Sequence, residues 1–328
     1  MPLAGYGVLV GRVVARRREG GRSSPHFQLH LRADGVDYRV AVNVLSQQAP
    51  SELLFLAVDA FRHPVLDVVA GFDDGWTPLP SRPGTGALDF VRGNLFDRSA
   101  MRPLPPDVPG PDNDLSDRLE HYAQRALADP AARCLAFGQR WGPERGQRDS
   151  VFGFTPGNGV HDVHMNQGNS GSFVRDDGVW QDGALLFRFG EQWAAVFLAF
   201  QSQSWHTDDR TGHTIPAPPP SARPAVRVVA ARVGAGGAGP GTVTLLNRSA
   251  AGVDLAGWSL VDGTRNRQAL DGSLAAGAAA QVPVRAPLVL GGGGALTLLD
   301  QDGLKVDGVA WTAADVGEPG SSIVFPTC

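Results

Sequence analysis

Two alternating runs that meet at Asp34-Gly35 constrain the fold more than any other feature of this chain. From His26 to Leu31, Phe27, Leu29 and Leu31 fall on one side, with His26, Gln28 and His30 on the other. From Val36 to Val44, Tyr38, Val40 and Val42 oppose Arg39, Ala41 and Asn43. A period of two sends successive side chains to opposite faces of a strand. Asp-Gly between the runs supplies the positive φ that a tight hairpin turn demands. An isolated hairpin is barely stable, so its apolar face must bury against more sheet. The polar face, with His26, Gln28, His30, Arg39 and Asn43, reads as a surface turned to solvent.

The rest of the chain repeats the theme. Tyr6 to Val14, Leu53 to Val58, 132–138 and 151–154 read as strands, and Ala184 to Phe189 and Trp193 to Phe200 form a second hairpin around Gly190-Glu191-Gln192. The 42 glycines and 25 prolines fit many short strands joined by tight turns. One helix is predicted. Leu115, Leu119, Tyr122, Ala126 and Leu127 form its apolar stripe, Asp112-Asn113-Asp114 offers the cap, Pro130 stops it, and His121 lies off the stripe. Pro216 to Pro224 is a stiff linker, which divides the chain into a first domain (1–214), a linker (215–224) and a second domain (225–328). Six short strands beyond the linker, from Val226 to Trp311, predict a β-sandwich. The expected class is therefore mainly β, with a β-rich N-terminal barrel or sandwich, one prominent helix and a C-terminal sandwich.

A net charge of -4 gives no general attraction to nucleic acid or anionic membrane, although Arg16-Arg17-Arg18 is a local basic cluster. Two cysteines, Cys134 and Cys328, exclude a disulfide framework and a Cys-rich zinc site. No apolar run approaches the ~20 residues of a membrane-spanning helix, and the N-terminus lacks a signal-peptide core, so a cytoplasmic protein is expected.

All eight histidines precede the linker, which points the search for chemistry at the first domain. Gly157 to Asn169 packs His161, Asp162, His164, Asn166 and Gln167 between glycines that read as a turn. A second group, His206, Asp208, Asp209 and His213, follows the strand ending at Phe200. Imidazole with carboxylate suits Zn, Mn or Fe. A histidine can also take the proton from an attacking water while a metal ion stabilises a charged phosphorane. The expectation is a metal-dependent hydrolase of phosphodiesters holding one divalent metal ion. His161 and His164 would serve as ligands or base, Asp162 and Asp208 as ligands, Asn166 and Gln167 as orienting groups, and His206 would complete the site. Arg175 or Arg188 could neutralise a phosphate. Gly168-Asn-Ser170-Gly171-Ser172 imitates the nucleophile turn of trypsin-like proteases, but His63, in Phe-Arg-His-Pro, lacks the setting such a triad needs. The alternatives are a polar network that only fixes loops, or a non-catalytic binding or scaffold protein with a polar pocket.

Two stretches resemble known families. Ser24-Pro-His-Phe-Gln, Arg39-Val-Ala-Val-Asn-Val, Val160-His-Asp-Val-His-Met-Asn-Gln-Gly-Asn and Phe197-Leu-Ala-Phe-Gln-Ser-Gln-Ser-Trp-His-Thr-Asp-Asp together resemble the YukJ-like bacterial proteins over 1–214. That resemblance implies one folding unit and brings no activity with it. Val243-Thr-Leu-Leu-Asn, Val253-Asp-Leu-Ala-Gly-Trp-Ser-Leu and Val306-Asp-Gly-Val-Ala-Trp resemble the lamin-tail domain. This implies an immunoglobulin-like sandwich that attaches to a protein or nucleic-acid partner, with Trp258 as a core aromatic.

Overall fold

The computed structural model describes residues 5–20, 25–44, 53–79, 94–95, 101–103, 108–162, 183–200, 225–234, 241–318 and 320–326. Packing divides the chain into two compact units. One comprises Met1–Phe61, Val69–Leu88 and Met101–Gln203; the other comprises Arg62–Val68, Asp89–Ala100 and Ser204–Cys328. The second unit thus also draws on two segments from early in the chain.

The strands of the first unit are β1 (Tyr6–Arg18), β2 (His26–Ala33), β3 (Val36–Asn43), β4 (Leu53–Val58), β5 (Gly75–Pro78), β6 (Arg102–Pro103), β7 (Arg133–Glu144), β8 (Gly157–His161), β9 (Gly183–Phe189) and β10 (Gln192–Phe200). A short helix, α1 (Val65–Val69), and a long one, α2 (Leu115–Ala128), interrupt them. The sheet order is β5-β1-β2-β3-β8-β7-β9-β10-β4-β6, and β1 also pairs with β7. That extra pairing closes β1-β2-β3-β8-β7 into a five-stranded barrel. Its neighbours are antiparallel except β3 and β8, which run parallel. With α2 leading into the fourth barrel strand, this is the Greek-key connectivity of the OB-fold barrel.

The barrel interior comes from the alternation itself. Phe27, Leu29, Leu31, Tyr38, Val40, Val42 and Val160 are buried in one core with Leu115, Leu119, Tyr122, Ala123 and Ala126 of α2. Each fully buried side chain of this size contributes about 1.5–3 kcal/mol. Asp114 caps α2 by accepting the N–H of Asp117 at 2.9 Å, and the helix stops at Asp129, before Pro130. His121 is exposed, and so is Leu127, which lies outside the buried stripe. His63 is buried, and its Nδ1 accepts the N–H of Val65 at the start of α1, a structural role. Tyr122 donates its hydroxyl to Asp59 at 2.7 Å. Burial, then the hydrogen bond to Asp59, push the phenol far above its ordinary range. Tyr122→Phe is expected to cost about 1 kcal/mol in a urea unfolding curve; an unchanged midpoint would show that water replaces the phenol at Asp59.

Two local expectations change. Residues 151–154 form a loop rather than a strand, and β7 instead runs on to Glu144. Gly157–His161 is a strand rather than a turn. Its glycines serve close approach, not reversal of the chain. A Cβ on Gly159 would collide with the Arg39 carbonyl and the Trp141 ring on the two neighbouring strands.

In the second unit, β11 (Val226–Arg232), β12 (Thr242–Asn247), β17 (Ala279–Pro283) and β20 (Ser322–Val324) form one four-stranded sheet. A second is made by β14 (Ser259–Asp262), β15 (Arg267–Ala269), β18 (Gly294–Leu299) and β19 (Lys305–Trp311), and β13 (Val253–Asp254) pairs with β16 (Ser273–Leu274). Residues from both four-stranded sheets share one core that includes Val228, Leu245, Leu260, Leu298, Trp311 and Ile323. Trp258 belongs to that core, as its place in the sequence suggests. Asn94 is also buried in this unit: its amide donates to Leu296 O at 2.8 Å and to Thr297 Oγ1 at 3.0 Å.

A histidine pair on the barrel face

The register of the barrel strands lines up the polar residues. His26 lies opposite Asn43, Gln28 opposite Ala41, and His30 opposite Arg39. On the other edge of β3, Ala41 faces His161 and Arg39 faces Gly159; across β8, His161 faces Gln139 and Gly159 faces Trp141. Paired residues share a face of the sheet, so His161 joins the polar face of the β2–β3 hairpin. Ala41 and Gly159 leave room between the larger groups.

That face is a connected network rather than a solvated surface, because each polar group has another to meet across the strands. Gln28 and Asn43 are buried, and His26, His30, Arg39 and His161 are half-buried. Arg39 donates from Nε to Asp149 Oδ2 at 2.7 Å and from Nη1 to Gln28 Oε1 at 3.3 Å. Gln28 passes the chain on, donating to Glu19 Oε1 at 2.9 Å. The other oxygen of Glu19 accepts the His26 backbone N–H at 3.2 Å and lies 3.6 Å from His26 Nδ1. Across the face, His26 Nε2 and His161 Nε2 are 3.0 Å apart, with ring planes at 86°. Behind His161, Asp162 Oδ1 sits 3.6 Å from Nδ1 and accepts the Asn43 N–H at 3.1 Å. Each imidazole therefore has a carboxylate at its back and the other imidazole at its front.

The loop after β7 flanks this row. Asp149 Oδ1 accepts the N–H groups of Val151 (3.0 Å) and Phe152 (2.7 Å), which shapes the turn. Phe152 and Phe154 then stack on His30, each with centroids 5.1 Å away, while His30 Nε2 meets Asp37 at 2.8 Å. Burial alone would raise the Asp149 carboxyl; the Phe152 N–H and the Arg39 guanidinium hold it below its ordinary range. Arg39 lies over the Trp141 ring at 4.8 Å. A cavity of about 450 Å³ elsewhere in this unit is lined by Val10, Phe72, Asp74, Arg133, Arg188 and Trp193. Its Arg133 is already paired with Asp74, and it shares no residue with the histidine pair.

β9 begins at Gly183, where an added Cβ would collide with Asp162, just past the end of β8. Leu198, near the end of β10, lies opposite Gly183. His164, Asn166, Gln167, His206 and Asp208 themselves lie outside the described residues, as do Ser170, Arg175 and His213. Among the described residues no group of three or more His, Cys, Asp or Glu is arranged to hold a metal ion. Of the expected site residues, His161 and Asp162 are thus seen together. His26, Glu19, Arg39 and Asn43 join them, although no local sequence motif marks them for chemistry. The available signal was the His26-x-Gln28-x-His30 row, which is richer in imidazole and amide than a solvated face requires. Cys134 is buried in the core, which pushes its thiol far up and keeps it inert. No helix among the described residues is long and apolar enough to cross a membrane.

Comparison with known proteins places this site in a family. No solved structure matches the chain. Over 212 residues it is 46% identical to the uncharacterized protein YukJ of Bacillus subtilis (strain 168), which covers 64% of this chain and 93% of that one. Residues 1–212 match the family described as "Uncharacterized conserved protein (DUF2278)", and the chain, with its paired histidines inside the matched region, belongs to that family.

Proposed function

We propose that this protein is a metal-assisted hydrolase of phosphodiesters whose reacting centre is the His26–His161 face of the barrel. The observation that carries the reading is the meeting of two imidazoles, each backed by a carboxylate, on one face of an OB-type barrel. Barrels of this connectivity use the face of their second and third strands and the loops beside it to hold extended polyanions. Here Trp141 and the cation Arg39 share the face of the pair, and Phe152 and Phe154 stack on His30 of the same row, as a stacking and phosphate-steering surface would. In this reading His164, Asn166 and Gln167, a few residues along the chain from His161 and Asp162, supply the further ligand and orienting groups. The C-terminal sheets serve as a lamin-tail-like attachment module with a protein or nucleic-acid partner.

The test is turnover of bis-p-nitrophenyl phosphate and of a labelled single-stranded oligonucleotide by the full chain, with Mg²⁺, Mn²⁺ or Zn²⁺ supplied. His161→Ala is expected to lower kcat by about 10²–10³-fold while circular dichroism stays unchanged. Absence of turnover on both substrates with every metal removes the hydrolase reading. Retained oligonucleotide binding would then favour a binding module, a reading the OB connectivity itself supports.

A further inference from the structure

We infer that His26 Nε2 and His161 Nε2 are two ligands of a single divalent transition-metal ion, and that Glu19 and Asp162 are the carboxylates that fix both rings for it. The argument begins with proton placement. A neutral imidazole carries one N–H, and which nitrogen bears it follows from the partner of the other. Glu19 lies 3.6 Å from His26 Nδ1 and Asp162 lies 3.6 Å from His161 Nδ1. Each carboxylate therefore favours the proton on Nδ1. With both rings in that tautomer, both Nε2 lone pairs lie on the shared side, 3.0 Å apart, where one cation could accept both. If one ring carried its proton on Nε2 instead, its bare Nδ1 would point a lone pair at an anion. The two carboxylates thus favour a cation at the Nε2 side.

That cation is a proton or a metal ion, and the surroundings favour the metal. Two nitrogens 3.0 Å apart, each about 2.1 Å from one ion, subtend about 90° at it, as cis ligands of a five- or six-coordinate centre do. A carboxylate behind each ligating histidine is the usual outer arrangement of such sites, since it sets the tautomer and the ring orientation. Both carboxylates are themselves positioned by the sheet: Glu19 by Gln28 and the His26 N–H, Asp162 by the Asn43 N–H. A shared proton would need one such carboxylate; the structure supplies two, symmetrically placed. Paired imidazoles suit Zn²⁺, Ni²⁺, Co²⁺ or Fe²⁺ more than Mg²⁺ or Ca²⁺.

This inference shares its location with the hydrolase reading, but it does not depend on turnover. The test uses the full-length chain without an affinity tag, titrated with Zn²⁺ by calorimetry and with Co²⁺ by its visible absorption. One equivalent of metal is expected, with X-ray absorption of the wild-type protein showing at least two imidazole nitrogens at about 2.1 Å. His26→Gln and His161→Ala should each abolish that binding. Glu19→Gln should weaken it by about 10- to 100-fold, with Glu19→Asp restoring part of it. No binding by the wild-type chain, which would leave a shared proton as the cation, overturns the inference. Undiminished binding by a folded His26→Gln or His161→Ala variant overturns it too, and so does X-ray absorption of the wild-type protein that shows fewer than two imidazole nitrogens. Metal binding without hydrolysis would remove the hydrolase reading alone, whereas metal-dependent hydrolysis with undiminished metal binding by a folded His26→Gln variant would remove this inference alone.

Discussion

Asp149→Ala is expected to destabilise the barrel unit by about 3 kcal/mol, because it strips three donors of their acceptor at once. The carboxylate is almost fully buried and takes Arg39 on one oxygen and the N–H groups of Val151 and Phe152 on the other. Removing it leaves Arg39, whose side chain is only 19% exposed, without its anion. It also frees the loop that stacks Phe152 and Phe154 on His30. Urea unfolding should show the loss. The pH dependence gives a separate check. The Asp149 carboxyl titrates lower in the folded chain than in the unfolded one. Its stabilisation is therefore present above about pH 4 and disappears as pH falls through the folded value. The alanine variant should show a flatter acid limb than the wild type. An identical acid limb would mean that Arg39 and the loop hold together without this carboxylate.

Asp307→Ala carries the second large effect, in the other unit. Asp307 Oδ2 accepts from Arg227 Nε at 3.0 Å and from the Val228 N–H at 2.7 Å, and both side chains are buried. Truncating the acid leaves a buried guanidinium and a buried N–H, for an expected loss of about 3–5 kcal/mol. The ion pair itself adds little net stability. Burial pushes the Asp307 carboxyl above its ordinary range even with Arg227 and the Lys305 charge acting to lower it. The double variant Arg227→Met, Asp307→Leu should consequently recover the part of the loss due to the unpaired charge, leaving about 1–3 kcal/mol for the Val228 N–H that lost its acceptor. If the double variant is as unstable as the single one, the pair has a role in sheet geometry beyond charge compensation.

The β2–β3 hairpin was fully legible in the sequence. Its two-residue period and Asp34-Gly35, both with positive φ (47° and 77°), are local properties that need no partner. The helix was legible for the same reason, from cap to terminating proline. Other features were not. Residues 151–154 look like a strand by composition, yet the Asp149 carboxylate and the positive φ of Gly153 hold them in a loop. Gly157–His161 looks like a turn, yet its glycines are spaced to let β3 and β7 press against it.

The candidate site divides along the same line. Sequence alone placed His161 and Asp162 in a stretch worth watching, because no turn needs an imidazole there. It also marked His26, Gln28 and His30 as one polar row. It could not join the two groups, since His26 and His161 are 135 residues apart. Their meeting depends on the parallel pairing of β3 with β8 and on a register that puts Ala41 between Gln28 and His161. Periodicity and turn chemistry act within a few residues, so the sequence determined the elements and the faces they present. Barrel closure acts across the whole unit, so only the tertiary structure decided which polar face would hold two carboxylate-backed histidines within contact of each other.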